Sequence, residues 1–173
     1  MIKDCFTKNQ KGFSLIEMMV VVVILGLIVL GLVTFFTGGA KSWVAGQSQL
    51  EAQRNARQAM DRMVREIREA DYINSSSVLS QIDFNTPFDG SISYSLSESG
   101  DLKRDLNLII NNVQSLAFTY FDNGGNPVAT SDTDKESKVS KVHIDLRVDV
   151  DQDSKPDITL NSDVDLRNFG LLD

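Results

Sequence analysis

Cysteine and histidine are almost absent from this 173-residue sequence. The one cysteine, Cys5, has no second cysteine with which to form an intramolecular disulfide or a thiolate metal site. The one histidine, His143, lacks a second imidazole with which to hold a metal. The Gly-x-Ser-x-Gly and phosphate-loop motifs of common enzyme classes are also missing. We therefore expect a protein that is not an enzyme and needs no organic cofactor.

Positive charge is scarce as well. The sequence has 17 Lys and Arg against 24 Asp and Glu, for a net charge of −7. Three of the lysines and one aspartate lie within the first 12 residues, so the remainder is more acidic than the whole. Because such a surface repels phosphates, nucleic acid is not an expected partner.

Proline is missing from the first half of the chain, where Pro87 is the first of three. A helix over residues 13–72 would therefore meet no proline. In its second half, over residues 37–72, apolar side chains recur mostly at intervals of three and four: Trp43, Leu50, Ala56, Met60, Met63, Val64, Ile67 and Ala70. This spacing predicts an amphipathic helix whose stripe from Met60 to Ala70 packs on a sheet. Gly38 and Gly39 mark the expected bend.

Residues 13–36 form a predominantly apolar run of 24 residues that contains one charged side chain, Glu17. About 20 such residues cross a hydrocarbon core, so the run predicts a single transmembrane segment. The lysines before it favour a cytoplasmic N terminus. A charge in the middle of such a helix costs about 2.5 to 3.5 kcal/mol, so Glu17 is expected to have a partner and a function.

Three interpretations of this run are open. A secretory signal cleaved near Gly38-Gly39-Ala40 is one, although its apolar core would exceed the usual length of about 7 to 15 residues. A plain uncleaved membrane anchor is the second. The third interpretation depends on the residues at the start of the run.

Residues 11–17 read Lys-Gly-Phe-Ser-Leu-Ile-Glu, and the apolar helix follows directly. This segment resembles the signal of type IV prepilins. The resemblance implies that a prepilin peptidase in the inner membrane cuts between Gly12 and Phe13 and methylates the new amine of Phe13. Residues 1–12 would then be a leader, and residues 13–36 would remain in the mature protein.

Three further positions extend the resemblance. Glu17 matches the acidic residue of the family, and Gly26 matches a glycine common in its apolar helix. Thr34 stands where major pilins usually carry a proline, which favours a minor pilin or pseudopilin. In a bundle of such helices, Glu17 would pair with the amine of Phe13 on a neighbouring subunit and set the register between them. The alternative is a side chain that only snorkels to the headgroups.

Beyond residue 72 the apolar pattern changes to a period of two. Residues 142–150 alternate between apolar and polar side chains and predict a strand with His143 on its wet face. Other predicted strands cover residues 78–84, 92–96, 102–110, 113–121 and 158–166. A long helix followed by antiparallel strands is an α+β fold. This order resembles the pilin architecture, and residues 113–121 with Leu166-Arg167-Asn168 resemble minor subunits of the J or W kind.

One segment is a candidate metal site. Asp149, Asp151 and Asp153 alternate along the chain, and Asp157 follows them. Carboxylates that converge in this way suit calcium, and calcium sites occur in some members of the family that the chain resembles. An EF-hand loop would need glycine at the sixth position and glutamate at the twelfth, where this chain has Ser154 and Leu160. An acidic turn that binds no metal is the alternative.

Together these patterns predict a minor pilin or pseudopilin of a type II secretion system or type IV pilus, incorporated near a filament tip. Its domains would be a leader at 1–12, a membrane half-helix at 13–36, an amphipathic half-helix at 37–72 and a periplasmic or extracellular β domain at 73–173. The protein would sit in the bacterial inner membrane before assembly. Its partners would be the prepilin peptidase, other pilins or pseudopilins, and a secreted protein substrate. The alternative is a single-pass, membrane-anchored periplasmic binding or sensor domain that does not polymerise.

Overall fold

A computed structural model describes residues 12–168 of the chain. The leader expected at residues 1–12 therefore lies, except for Gly12, outside the described residues. The chain divides into two compact units, and the boundary falls between Gly46 and Gln47. One 54-residue helix, α1, covers Leu15–Arg68 and so contributes to both units. The expectation of a long N-terminal helix before antiparallel strands is confirmed.

In the first unit, α1 is an apolar helix whose side chains are exposed throughout. Gly38 and Gly39 belong to the helix, so the bend expected there does not interrupt it. Thr34 and Thr37 donate their hydroxyl hydrogens to helix carbonyls one turn earlier, at distances of 2.8 to 3.1 Å. These contacts satisfy the two hydroxyls inside the helix, as an apolar environment requires.

In its described part, up to residue 168, the second unit contains the end of α1 and a short helix α2 at Lys135–Lys138, together with nine strands. The strands are β1 Tyr72–Ile73, β2 Gln81–Thr86, β3 Gly90–Leu96, β4 Leu102–Arg104, β5 Asn107–Ile110, β6 Val113–Phe121, β7 Pro127–Val128, β8 Lys141–Val148 and β9 Ile158–Asp165. They form two antiparallel sheets rather than one, in the orders β1-β2-β3-β4-β5 and β7-β6-β8-β9.

The core of this unit joins α1 to both sheets. Period-two alternation buries one face of each long strand, as in β8, where Val142, Ile144, Leu146 and Val148 are buried. The stripe predicted on α1 is confirmed, and its buried residues are Ala56, Ala59, Met60, Met63 and Ile67, with Ala70 just beyond the helix. Phe84 and Tyr94 stack at a centroid distance of 6.2 Å between β2 and β3.

Several boundaries differ from the sequence prediction. The helix ends at Arg68 rather than at residue 72, because the N–H of Asp71 already pairs with the carbonyl of Asn85 at 2.8 Å and β1 begins at Tyr72. The strand predicted over 102–110 is two strands joined by a turn at Asp105 and Leu106. Asp105 adopts φ 55°, a left-handed conformation that Asp tolerates. Leu106 at this turn is 95% exposed.

The other strands are shifted by smaller amounts. The strand predicted over 78–84 lies at Gln81–Thr86, and the one predicted over 142–150 lies at Lys141–Val148. The strand predicted over 158–166 ends one residue earlier, at Asp165. The prediction for 113–121 is confirmed without change in β6.

A partly buried carboxylate, Glu66, connects α1 to the first sheet. Its Oε2 accepts hydrogen bonds from the Tyr94 hydroxyl at 2.7 Å and from Arg104 Nε at 2.9 Å. Its Oε1 accepts from Arg62 Nε at 2.9 Å. Burial by itself would raise the pKa of Glu66, but the hydrogen bonds from Arg104, Arg62 and Tyr94 outweigh burial and hold this pKa below its ordinary value. Glu66 is therefore charged and fully engaged at neutral pH.

A second tie is the ammonium of Lys135 in α2, a side chain with no exposed surface. Its Nζ donates to the carbonyls of Ser75, Ser77 and Thr130, at 2.8, 2.8 and 2.6 Å. Burial lowers the pKa of Lys135, and the nearby charge of Asp132 opposes that effect. One side chain thus fixes the loop after β1 to the segment before α2.

Replacing Glu66 with Gln should lower the free energy of unfolding by about 2 kcal/mol at pH 7, since charge-assisted hydrogen bonds are lost. Because the folded-state pKa is lowered, the contribution of Glu66 is complete above the unfolded value of 4.5 and is lost as pH falls through the folded value. Urea unfolding of the detergent-solubilised chain, followed by circular dichroism, measures both effects. The variant should lose less stability than the native chain on acidification.

The matched control is Glu98→Gln, which removes the same charge from an exposed position. It should change stability by less than about 0.5 kcal/mol. Equal unfolding curves for Glu66→Gln and Glu98→Gln would contradict the assigned role of Glu66.

Replacing Lys135 with Met should lower the free energy of unfolding by about 3 kcal/mol, because three carbonyls lose their donor in a buried site. Lys138→Met is the control on the same helix. Lys138 pairs with Asp132 at 3.0 Å, but its side chain is 46% exposed, so its loss should cost much less stability than the loss of Lys135. If Lys135→Met loses no more stability than Lys138→Met, the buried ammonium does not hold the loop after β1 to the segment before α2.

Candidate functional site

The start of α1 places the prepilin-like residues at an open helix terminus. Phe13 and Ser14 precede the helix, and the Ser14 carbonyl accepts from the N–H groups of Glu17 and Met18 at 3.0 and 3.2 Å. Glu17 lies in the first turn. The free N–H groups and the positive end of the helix dipole favour a carboxylate there. Gly12, Phe13 and Glu17 are all exposed, so a peptidase or a neighbouring subunit can reach them.

The apolar side chains of residues 13–36 form a surface that is exposed among the described residues. Phe13 is 77% exposed, and Phe36 at the other end is 68% exposed. By its length and composition α1 contains a segment that could cross a membrane. A continuous apolar surface of this size needs lipid or other helices to cover it.

Two glycines within this surface are free of intrachain packing. A Cβ atom built on Gly26 or Gly31 would meet no heavy atom within 4 Å. The fold of the single chain therefore does not require glycine at these positions. Small residues do allow a second helix to approach closely, which is their common use in membrane segments.

The apolar positions of α1 beyond residue 36 divide into two groups. Trp43 and Leu50 are 69% and 68% exposed, while the residues from Ala56 onward enter the core. Both groups share the same spacing in sequence, so periodicity alone did not separate them. The two groups differ because the sheets cover the helix only from about Ala56 onward.

The acidic segment lies between β8 and β9. One carboxylate oxygen from each of Asp149, Asp151 and Asp153 lies within 4.8 Å of the others. The structure thus brings together three of the four aspartates predicted as metal ligands. Asp157 has a different contact, since its Oδ2 accepts from the N–H of Val150 at 2.8 Å.

Within this group Asp149 is buried, with 7% of its surface exposed. Its Oδ2 accepts from the N–H of Ser154 at 2.9 Å, whereas its Oδ1 is buried and has no hydrogen-bond partner among the described residues. Asp151 and Asp153 are exposed. The sequence pattern indicated the three carboxylates but not the burial of the first one.

His143 lies on β8, where its Nδ1 and Asp163 Oδ1 are 2.7 Å apart. The histidine side chain is 34% exposed and that of Asp163 is 65% exposed. The wet-face position predicted for His143 is thus confirmed, and the pair lies on open sheet surface rather than in a cleft. Such a cross-strand pair stabilises a sheet without any chemistry.

Two polar contacts, those of Glu66 and Lys135, were not identified from the sequence. Their partners lie 28 to 60 residues away, at Tyr94, Arg104, Ser75 and Ser77. No local signal could have identified them.

Comparison with known proteins supports the N-terminal assignment. Residues 7–33 match a family described as the prokaryotic N-terminal methylation motif. No curated protein matches the chain at a significant level. The chain therefore has a type IV prepilin-like N terminus on an α+β, pilin-like layout. This motif implies processing by prepilin peptidase and assembly with other pilins in general, and it supports a structural subunit of the type IV pilin and pseudopilin family.

Proposed function

We propose that this protein is a minor pilin or pseudopilin, an assembly subunit located near the tip of a type IV pilus or type II secretion pseudopilus. The observation that carries the proposal is the methylation motif at residues 7–33, together with an apolar helix surface that no other part of residues 12–168 covers. In the inner membrane, lipid would cover this surface before assembly. In a filament, the helices of neighbouring subunits would replace the lipid.

Glu17 is the residue that would direct this exchange. After cleavage behind Gly12, the amine of Phe13 would be a positive charge at the start of the helix. A Glu17 carboxylate from the next subunit could pair with that amine inside the helical bundle. A charge buried without its partner is costly, so only the register that aligns the two groups would be stable.

The subtype rests on Thr34 and on the β domain. Thr34 lies within an unbroken α1, at the place where major pilins usually carry a proline. The segment that resembles J-type and W-type minor subunits forms the long strand β6, Val113–Phe121, which pairs with β7 and β8. Both features support a minor subunit. The acidic β domain would face neighbouring subunits or a secreted protein on the periplasmic side.

Protein purified from membranes of its own host should begin at Phe13 and carry one additional methyl group. Intact mass and N-terminal sequencing measure both properties. A Gly12→Val variant should keep residues 1–12, because the bulkier side chain blocks the cleavage position. A native chain that retains residues 1–12 would instead favour the anchored binding or sensor domain, and one that begins after Ala40 would indicate an exported soluble protein.

Replacing Glu17 with Ala should leave cleavage intact and reduce incorporation into filaments. Loss of one partner of a buried ion pair costs about 3 to 5 kcal/mol, which corresponds to more than about a hundredfold in equilibrium. The measurement is the ratio of filament-bound to membrane-bound subunit in sheared fractions. Glu98→Ala is the control, because it removes the same charge from an exposed position in the β domain. Incorporation of Glu17→Ala at the level of Glu98→Ala would exclude the register role.

A further inference from the structure

We propose that the loop between β8 and β9 binds one calcium ion through the carboxylates of Asp149, Asp151 and Asp153. Their oxygens lie within 4.8 Å of one another. Calcium–oxygen bonds of about 2.3 to 2.6 Å allow three oxygens this close together to reach one ion. Magnesium demands near-octahedral geometry and keeps several of its waters, so a cluster of protein carboxylates suits calcium better.

The chemistry of the group also selects the ion. Asp149, Asp151 and Asp153 supply only oxygen, and the segment 149–157 contains neither cysteine nor histidine. Hard cations prefer such ligands, whereas zinc and copper favour nitrogen and sulfur. Three like charges held this close repel one another until a cation neutralises them.

The buried oxygen of Asp149 is the independent observation. Only 7% of the surface of Asp149 is exposed, so the residue is more than nine-tenths buried. Its Oδ1 nevertheless accepts no hydrogen bond from residues 12–168. A buried acceptor without a partner is destabilising, and more so when it is charged. A metal ion shared with Asp151 and Asp153 would supply the missing partner. A purely structural acidic turn gives no reason to bury this oxygen.

The backbone holds the loop in the shape that an ion requires. Ser154 occupies the sixth position, where an EF-hand loop has glycine, and it adopts φ 70°, the left-handed conformation for which glycine is used there. Gln114 on β6 donates its side-chain N–H to the Ser154 carbonyl at 2.8 Å. The serine therefore does not prevent the turn.

The twelfth position distinguishes this loop from a tight calcium site. Leu160 lies in β9 and provides no carboxylate, and Asp157 is engaged with the N–H of Val150. Fewer charged ligands give weaker binding, so the dissociation constant should fall near the range of about 10⁻⁴ to 10⁻³ M found in extracellular modules. The ion would fix the hairpin between β8 and β9 at the end of the second sheet.

Titration calorimetry of the full-length chain in detergent, with calcium chloride and separately with magnesium chloride, tests the proposal. Calcium should bind saturably to one site, and magnesium should bind at least about tenfold more weakly. Asp151→Asn should weaken calcium binding at least about tenfold, because an exposed carboxylate is removed without disturbing the core. Circular dichroism confirms that the variant is folded.

The matched control is Asp165→Asn on β9, which makes the same substitution at a side chain that is 77% exposed. It should bind calcium as the native chain does. Any of three results would overturn the proposal. These are calcium that shows no saturable binding, magnesium that binds as tightly as calcium, and an Asp165→Asn variant that weakens calcium binding as much as Asp151→Asn does. The assay requires neither processing nor filaments, so its result is independent of the proposed assembly function.

Discussion

The apolar surface of α1 over residues 13–36 is the constraint on which the other features depend. Hydrophobic burial is the main favourable term in folding, yet this surface is exposed from Phe13 to Phe36 in the part of the chain that the structure describes. Its stability must therefore come from lipid or from other helices. Thr34 satisfies its own hydroxyl within the helix, and Glu17 is the one charged side chain in residues 13–36. An otherwise inert surface with a single charge near its end is suited to assembly in one register.

The second unit has the opposite character, since it folds around a core of its own. Its helix face and both sheets contribute to one hydrophobic cluster. Glu66 and Lys135 connect elements that are far apart in sequence, and both are saturated with partners. Buried ionic groups with complete hydrogen bonding are costly to remove, because a lone partner is left without water. Glu66 thus fixes the first sheet on α1, and Lys135 fixes the loop after β1 to the segment before α2, more specifically than apolar contacts alone would.

The loop between β8 and β9 differs from these two ties in one respect. Glu66 and Lys135 find their partners within the chain, whereas Asp149 leaves Oδ1 without one among the described residues. The same physical rule, that buried polar atoms need partners, therefore explains the first two and points to an external ion in the third. This difference separates a structural charge from a candidate binding site.

The sequence alone determined the class of elements and their order. A proline-free apolar run with Glu17 near its start predicted the membrane-type helix, and alternation over residues 142–150 predicted a strand, because both signals are local periodicities. The prepilin-like start was also identified from contiguous residues, and the match over 7–33 supports it. Tertiary structure decided the end of α1 at Arg68, the division of residues 102–110 into two strands, and the presence of two sheets. It also decided which charges are buried, as for Lys135 and Asp149, and which partners Glu66 has. These outcomes depend on contacts between residues that are distant in the chain, and such contacts leave no periodic trace in the sequence.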